Sequence, residues 1–267
     1  MNPLYIEAVG CCAPGLDGWV TAQPVLRGER SYQREELPPH PPQRLPANER
    51  RRATLAVRIA FRVAEDALGT PGFTGRSPDS LATVFASSDG DTHVVHRTSL
   101  ALAGPRREVS PTDFHNSVHN AAAGYWSIAV GARLPSVSLS ACHASFAAGL
   151  LEAGTLVQAE DLDCLLVAFD VRPPAPLLES WSITESAAVA LILSPRRSAG
   201  ALAKLRIELV SSVAETTMDD VALEFLRRSN PAARALPLLR LLAQRGSGPV
   251  LLDGAGEHSL RVDLESL

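Results

Sequence analysis

Residues 164–169 and 187–193 are apolar at every position. A strand with one wet face alternates, so an unbroken apolar run of this length implies a strand covered on both faces. Between such runs lie Ala-rich stretches with helical periodicity, at 120–130 and 142–158. Strands alternating with helices specify an α/β layered fold with a mainly parallel sheet.

The remaining pattern fills in this plan. Residues 4–9 and 81–87 read as further strands, and residues 10–46, rich in proline and other turn formers, as a loop or flap. Residues 48–68 read as one amphipathic helix with Asn48 as N-cap and Leu55, Ile59, Val63 and Leu68 on its apolar face. After Pro195 the pattern restarts as a shorter βααββ unit: strand 205–213, helices 219–228 and 232–244, strands 250–252 and 259–264.

Cys142 sits where strand 137–140 becomes helix 142–158. Unpaired N–H groups and the positive end of the dipole at a helix start favour a thiolate, which makes the cysteine a candidate acyl-accepting nucleophile. The bland alternative is a small buried hydrophobe. His115 and His119 stand four apart, a metal-ligand spacing on a helix, but their neighbours read as loop and no glutamate accompanies them. Capping, or a polar contact at a subunit boundary, is the simpler role, and no metal site is assigned. Asp89, Asp91, His93 and His96 read as a turn around Gly90. Arg50, Arg51, Arg52, Arg58 and Arg62 read as a solvated helix face, with a docking patch for an acidic partner as the alternative.

Ser140-Ala141-Cys142 resembles the nucleophile turn of the β-ketoacyl synthases, which show Thr/Ser-Ala-Cys followed by small residues. Asn120-Ala121-Ala122-Ala123-Gly124 upstream and Glu185-Ser186-Ala187-Ala188 downstream match that family in the same order, over about residues 80 to 195. The resemblance implies a thiolase-like layered fold with an intact first half, residues 1–197, and a truncated second half, residues 198–267, within one structural domain. The second-half histidines and lysine of the family are missing: His258 is the sole histidine after His143, and Lys204 the sole lysine. Gly254-Ala255-Gly256 before the last strand resembles a reduced form of the family's glycine-rich loop. His143 and Phe146 depart from the small residues usual after the nucleophile.

That pattern is similar to the short chain-length-factor subunits of aryl-polyene and xanthomonadin-type pigment clusters, with residues 114–120 the most suggestive stretch. It implies an acyltransferase-type fold whose own catalysis is limited, and a heterodimer with a full-length ketosynthase formed through strand 137–140. Such a pair acts on acyl and malonyl thioesters of an acyl carrier protein in polyketide or fatty-acid-like assembly. Phe114, His115, His119, Asn120, Trp126 and Phe146 are then candidates for the acyl-tunnel wall or the interface. The rivals are an active β-ketoacyl synthase using Cys142, and a purely structural scaffold. The truncation is expected to leave apolar sheet surface uncovered. No cofactor is implied.

Composition sets the outer bounds. A net charge of −4 gives no bulk attraction to nucleic acid. No apolar run reaches the ~18 residues of a membrane helix. The first residues lack a signal-peptide pattern, and four cysteines with Cys11 and Cys12 adjacent do not make a disulfide framework, so a reducing cytoplasm is expected.

Overall fold

The computed structural model describes residues 2–254 and 256–267, so Ala255 of the glycine-rich stretch lies outside the described residues. In chain order the elements are β1 (Leu4–Ala13), β2 (Leu16–Asp17), α1 (Trp19–Leu26), α2 (Ala47–Arg52), α3 (Leu55–Leu68) and β3 (Ala82–Ala86). Then come α4 (Thr92–Ala103), α5 (Pro111–Asn116), α6 (Ala121–Val130), β4 (Ser136–Leu139), α7 (Ser145–Glu160), β5 (Cys164–Asp170) and β6 (Ala187–Ser194). The shorter unit supplies β7 (Ala203–Ser211), α8 (Val221–Ser229), α9 (Leu236–Ala243), β8 (Gly248–Asp253) and β9 (His258–Ser266).

All strands join one sheet of order β4-β3-β5-β6-β1-β7-β9-β8, with β2 paired to β1. The apolar runs become β5 and β6, buried at every residue. Their directions differ from expectation. Only β3–β4 and β3–β5 are parallel; the remaining pairings are antiparallel. A continuous apolar run reports cover on both faces, and cover does not depend on strand direction.

One face packs on α3 and α6, with Phe61 edge-on to Trp126 at a centroid distance of 5.2 Å. The other face curls around α7 and α9, so side chains from β3 and from β8 fall in the same core. Gly149 permits the closest approach: a Cβ there would stand 2.8 Å from Ala86 Cβ and 2.9 Å from Leu166 Cδ1.

Three further expectations change. Residues 10–46 are not all loop: β1 runs on to Ala13 and α1 packs into the core through Trp19, Ala22, Val25 and Leu26. Helix 48–68 is broken. Its first part is α2, Ala53 turns extended, and Thr54 rather than Asn48 caps α3 by accepting a hydrogen bond from Val57 N–H. Leu55 therefore sits at the new helix start, 49% exposed, and not on the core face. The third concerns β7 and β9. The outward face of β7 and β9 sets Lys204 opposite Glu265, Arg206 opposite Asp263 and Glu208 opposite Arg261. Its inward residues, among them Leu205, Ile207, Val262 and Leu264, are buried. On the outward face charge stands where uncovered apolar sheet surface was expected, although Leu209 of β7 remains 53% exposed.

Candidate functional site at the strand-to-helix turn

β3, β4 and β5 are parallel, so their carboxyl ends lie along one edge of the sheet. The Cys142 turn stands at that edge. Cys142 starts a single 3₁₀ turn, Cys142–Ala144, that leads into α7. Its φ is +49°, a conformation that costs a non-glycine residue about 1–3 kcal/mol and persists only where surroundings enforce it. They do so here. Buried Ser145 Oγ donates to the Cys142 carbonyl at 2.6 Å and accepts from Ala141 N–H at 3.0 Å. Ser140 Oγ donates to the Ser88 carbonyl at 2.7 Å. The bland reading of Cys142 as a buried hydrophobe is overturned, since its residue is exposed. Cys11, Cys12 and Cys164 are the buried ones, and burial pushes the Cys12 and Cys164 thiols up to about 12.

His143 reaches the far end of the sheet. Its Nε2 lies 3.0 Å from Asp253 Oδ2 at the end of β8. Both line a polar cavity of about 550 Å³ that extends to Glu215, Arg228 and Arg234. Arg227, 2% exposed, forms the cavity's anchored side: its guanidinium donates to Glu215 and Glu224 at 2.7–3.2 Å. Burial works against Glu215's charge, yet the Arg227 and Arg234 hydrogen bonds hold its carboxyl below the usual range. His143 is the one histidine lining this cavity among the described residues, while His258 lies exposed at the start of β9.

Beneath the turn lies a carboxyl that sequence reasoning passed over. Asp170 ends β5, is 1% exposed, and accepts at Oδ1 from Ser87 Oγ (2.8 Å), Ser88 N–H (2.9 Å) and Asp89 N–H (3.3 Å). Its Oδ2 has no partner. Burial pushes the carboxyl up to about 7 against those three donors. Asn230 Nδ2 donates to the Asp170 carbonyl and to the Glu185 carbonyl, tying the reduced half to the same edge. The available signal was a lone charge closing an otherwise apolar run.

The other candidates are dispersed. Phe114 on α5 is 73% exposed, whereas Trp126 and Phe146 are fully buried in opposite cores. His115 lies edge-on to Tyr125, and His119 Nε2–H donates to the Ser87 carbonyl at 3.0 Å. His115 belongs to α5 and His119 follows it, so they do not share a helix, and the described residues hold no metal-ligand cluster. Asn120 stands just before α6 and lines a polar cavity of about 510 Å³ with His119, Ser136 and Ser138. The turn reading of residues 89–91 holds, with Gly90 at φ +65° and Asp91 capping α4 through Val94 N–H.

The family model for the β-ketoacyl synthase N-terminal domain matches residues 26–246. The chain belongs to the β-ketoacyl synthase family. No curated protein sequence gives a significant match. Among solved structures it is similar to a ketosynthase, ApeO, in complex with its chain length factor, ApeC, from Xenorhabdus doucetiae. There the TM-score is 0.73 at 23% identity, covering 98% of this chain and 100% of that one. An ishigamide ketosynthase/chain length factor gives a TM-score of 0.77 at 11% identity, with 100% of each chain covered. A type II polyketide acyl-carrier protein in complex with its ketosynthase, AntDE:AntF, gives 0.78 at 11% identity over 99% of each. At these identities the likeness establishes the ketosynthase fold, a mixed α/β sheet with helices on both faces.

Proposed function

We propose that the chain is a chain-length-factor subunit. It pairs with a catalytic β-ketoacyl synthase and shapes the acyl tunnel in aryl-polyene or polyketide assembly on an acyl carrier protein. The carrying observation is the free edge of the sheet beside the Cys142 turn. Thr83 N–H donates to the Pro135 carbonyl and Ser87 N–H to the Leu139 carbonyl. Residues 135, 137 and 139 therefore face β3, and Ser136 and Ser138 turn their N–H and C=O groups outward. Edge strands are ordinarily blunted by proline, lysine or a bulge. The other edge strand, β8, carries Pro249, but β4 carries none of these. Exposed Leu100 and Leu102 on α4, Phe114, Val118 and Ile128 lie on the segments between β3 and β4, where a partner can bury them.

Two structural neighbours are ketosynthases with a chain length factor, and a third includes a carrier protein, which supports these partners. His258 is the sole histidine of residues 198–267, which supports leaving condensation to the partner. We read residues 1–197 and 198–267 as the whole and the reduced half of one domain, because β1 pairs with both β6 and β7. The four free cysteines suit a cytoplasmic setting, and among the described residues no helix is long and apolar enough to cross a membrane. Retained chemistry at Cys142 is the second reading, favoured by its exposed, positive-φ turn.

Ser138→Pro tests the assignment. It deletes an outward N–H and leaves the β3 ladder whole. Co-expressed with a full-length ketosynthase, the parent chain should purify as a heterodimer and the variant should not, with both chains equally folded. Heterodimer recovery unaffected by Ser138→Pro would sink the edge-strand assignment.

A further inference from the structure

Another cavity is lined from the start of α3, the flap and the segments that follow β5 and precede β6, with no residue of the Cys142 turn among its walls. It holds about 620 Å³, within the range of small-molecule sites. Its apolar walls are Leu55 and Ile59 of α3, Pro14 just after β1, and Leu37, Pro38, Pro39 and Pro41 of the flap. Four arginines from three segments enter it: Arg34, Arg58, Arg62 and Arg172.

Two of these are answered. Arg34 forks onto Glu185 at 2.6 and 3.1 Å. Arg62 pairs with Asp17 and donates to the Pro38 carbonyl, which pins the flap. Two are not. Arg58 gives only Nε, to the Ala53 carbonyl at 3.0 Å, leaving both terminal nitrogens free. Among the described residues the Arg172 guanidinium has no hydrogen bond or ion pair, and neither has the Glu36 carboxylate on the rim. Two unanswered cations against one unpaired carboxylate leave the cavity short of a single negative charge. The apolar side is equally unanswered: Leu55 is 49% exposed into a concave surface. Such a surface is completed by a molecule with an apolar body and one anionic head.

We propose that this cavity binds a monocarboxylate with an apolar tail, its head forked by Arg58 and Arg172 and its tail laid over Leu55 and the flap prolines. The cavity shares no lining residue with the Cys142 turn or with β4, and the proposal does not depend on the subunit role proposed above.

Titration calorimetry on the intact chain decides it, with decanoate as probe and decanol and decyl phosphate as comparators. Decanoate should bind saturably below about 1 mM and raise the melting temperature by mass action. Decanol, without the head charge, should bind at least about tenfold more weakly. The double variant Arg58→Gln, Arg172→Gln should lose about tenfold or more in decanoate affinity, and Leu55→Glu should abolish binding. These positions are exposed, and an unchanged circular dichroism spectrum will confirm that the variants fold. Equal binding of decanol, undiminished affinity in the arginine variant, or no saturation by about 5 mM decanoate overturns the proposal. Decyl phosphate binding about tenfold tighter than decanoate overturns the carboxylate assignment and points to a phosphate head.

Discussion

Asp170→Asn gives the sharpest test of the buried edge network. Burial raises this carboxyl from the ordinary 3.8 to about 7. In the interval between those values the native state holds a proton that the unfolded chain has released. Stability therefore falls as pH rises through the interval and levels off above it. At about 1.36 kcal/mol per unit, the whole interval is worth up to about 4 kcal/mol. Asparagine keeps an oxygen to accept from Ser87, Ser88 and Asp89 and removes the titration. Urea unfolding between about pH 5 and 8 should show the parent losing stability relative to the variant as pH rises. Taking the difference cancels the histidines common to both chains. Glu215 and Glu224, held below their usual range by arginine, act in the opposite sense: their stabilisation is lost as pH falls through those lowered values, below this window. A parent-minus-variant difference that stays flat across the window would refute a strongly raised Asp170.

Three other outcomes follow from the site. Cys142→Ala in the assembled complex should retain most elongation activity under the subunit reading; loss of most activity with assembly intact transfers the bet to Cys142 as nucleophile. In the native chain a thiol reagent should label Cys142 alone, because Cys11, Cys12 and Cys164 are buried; labelling of a second cysteine before unfolding would contradict the packing. Phe146→Ala should cost roughly 3–5 kcal/mol by denaturant melt, whereas Phe114→Ala, on an exposed ring, should cost within about 0.5 kcal/mol and act on heterodimer formation instead. A shift in carrier-bound product length with Phe146→Ala at little cost in stability would make Phe146 a tunnel wall.

Much of the fold was legible because burial writes itself into composition. The all-apolar runs located β5 and β6, and the βααββ restart located β7, α8, α9, β8 and β9. What was lost depended on partners distant in sequence. Strand direction leaves no mark on a run covered on both sides. The break before α3 came from Ala53 and Thr54, residues that a helical window absorbs without protest. At the site, the strand-to-helix turn marked Cys142, but nothing local announces that His143 meets Asp253, 110 positions later, or that Asp170 gathers three donors from the loop after β3. For His115 and His119 the helical spacing was set aside because their neighbours read as loop; the structure has the short α5 there, ending between the two.

The ladder of charges on the outer face of β7 and β9 has a consequence for how the chain's end is assembled. Sliding β9 by one residue would turn its buried side chains to solvent, which the hydrophobic pattern forbids. Sliding by two preserves the faces, and only charge then discriminates. One such slip sets Arg206 against Arg261, and the opposite slip sets Glu208 against Asp263. Each misalignment thus carries a like-charge clash absent from the native pairing. The alternation of sign works as a key for alignment against β7, added to the register that the antiparallel β8–β9 pairing already gives the strand.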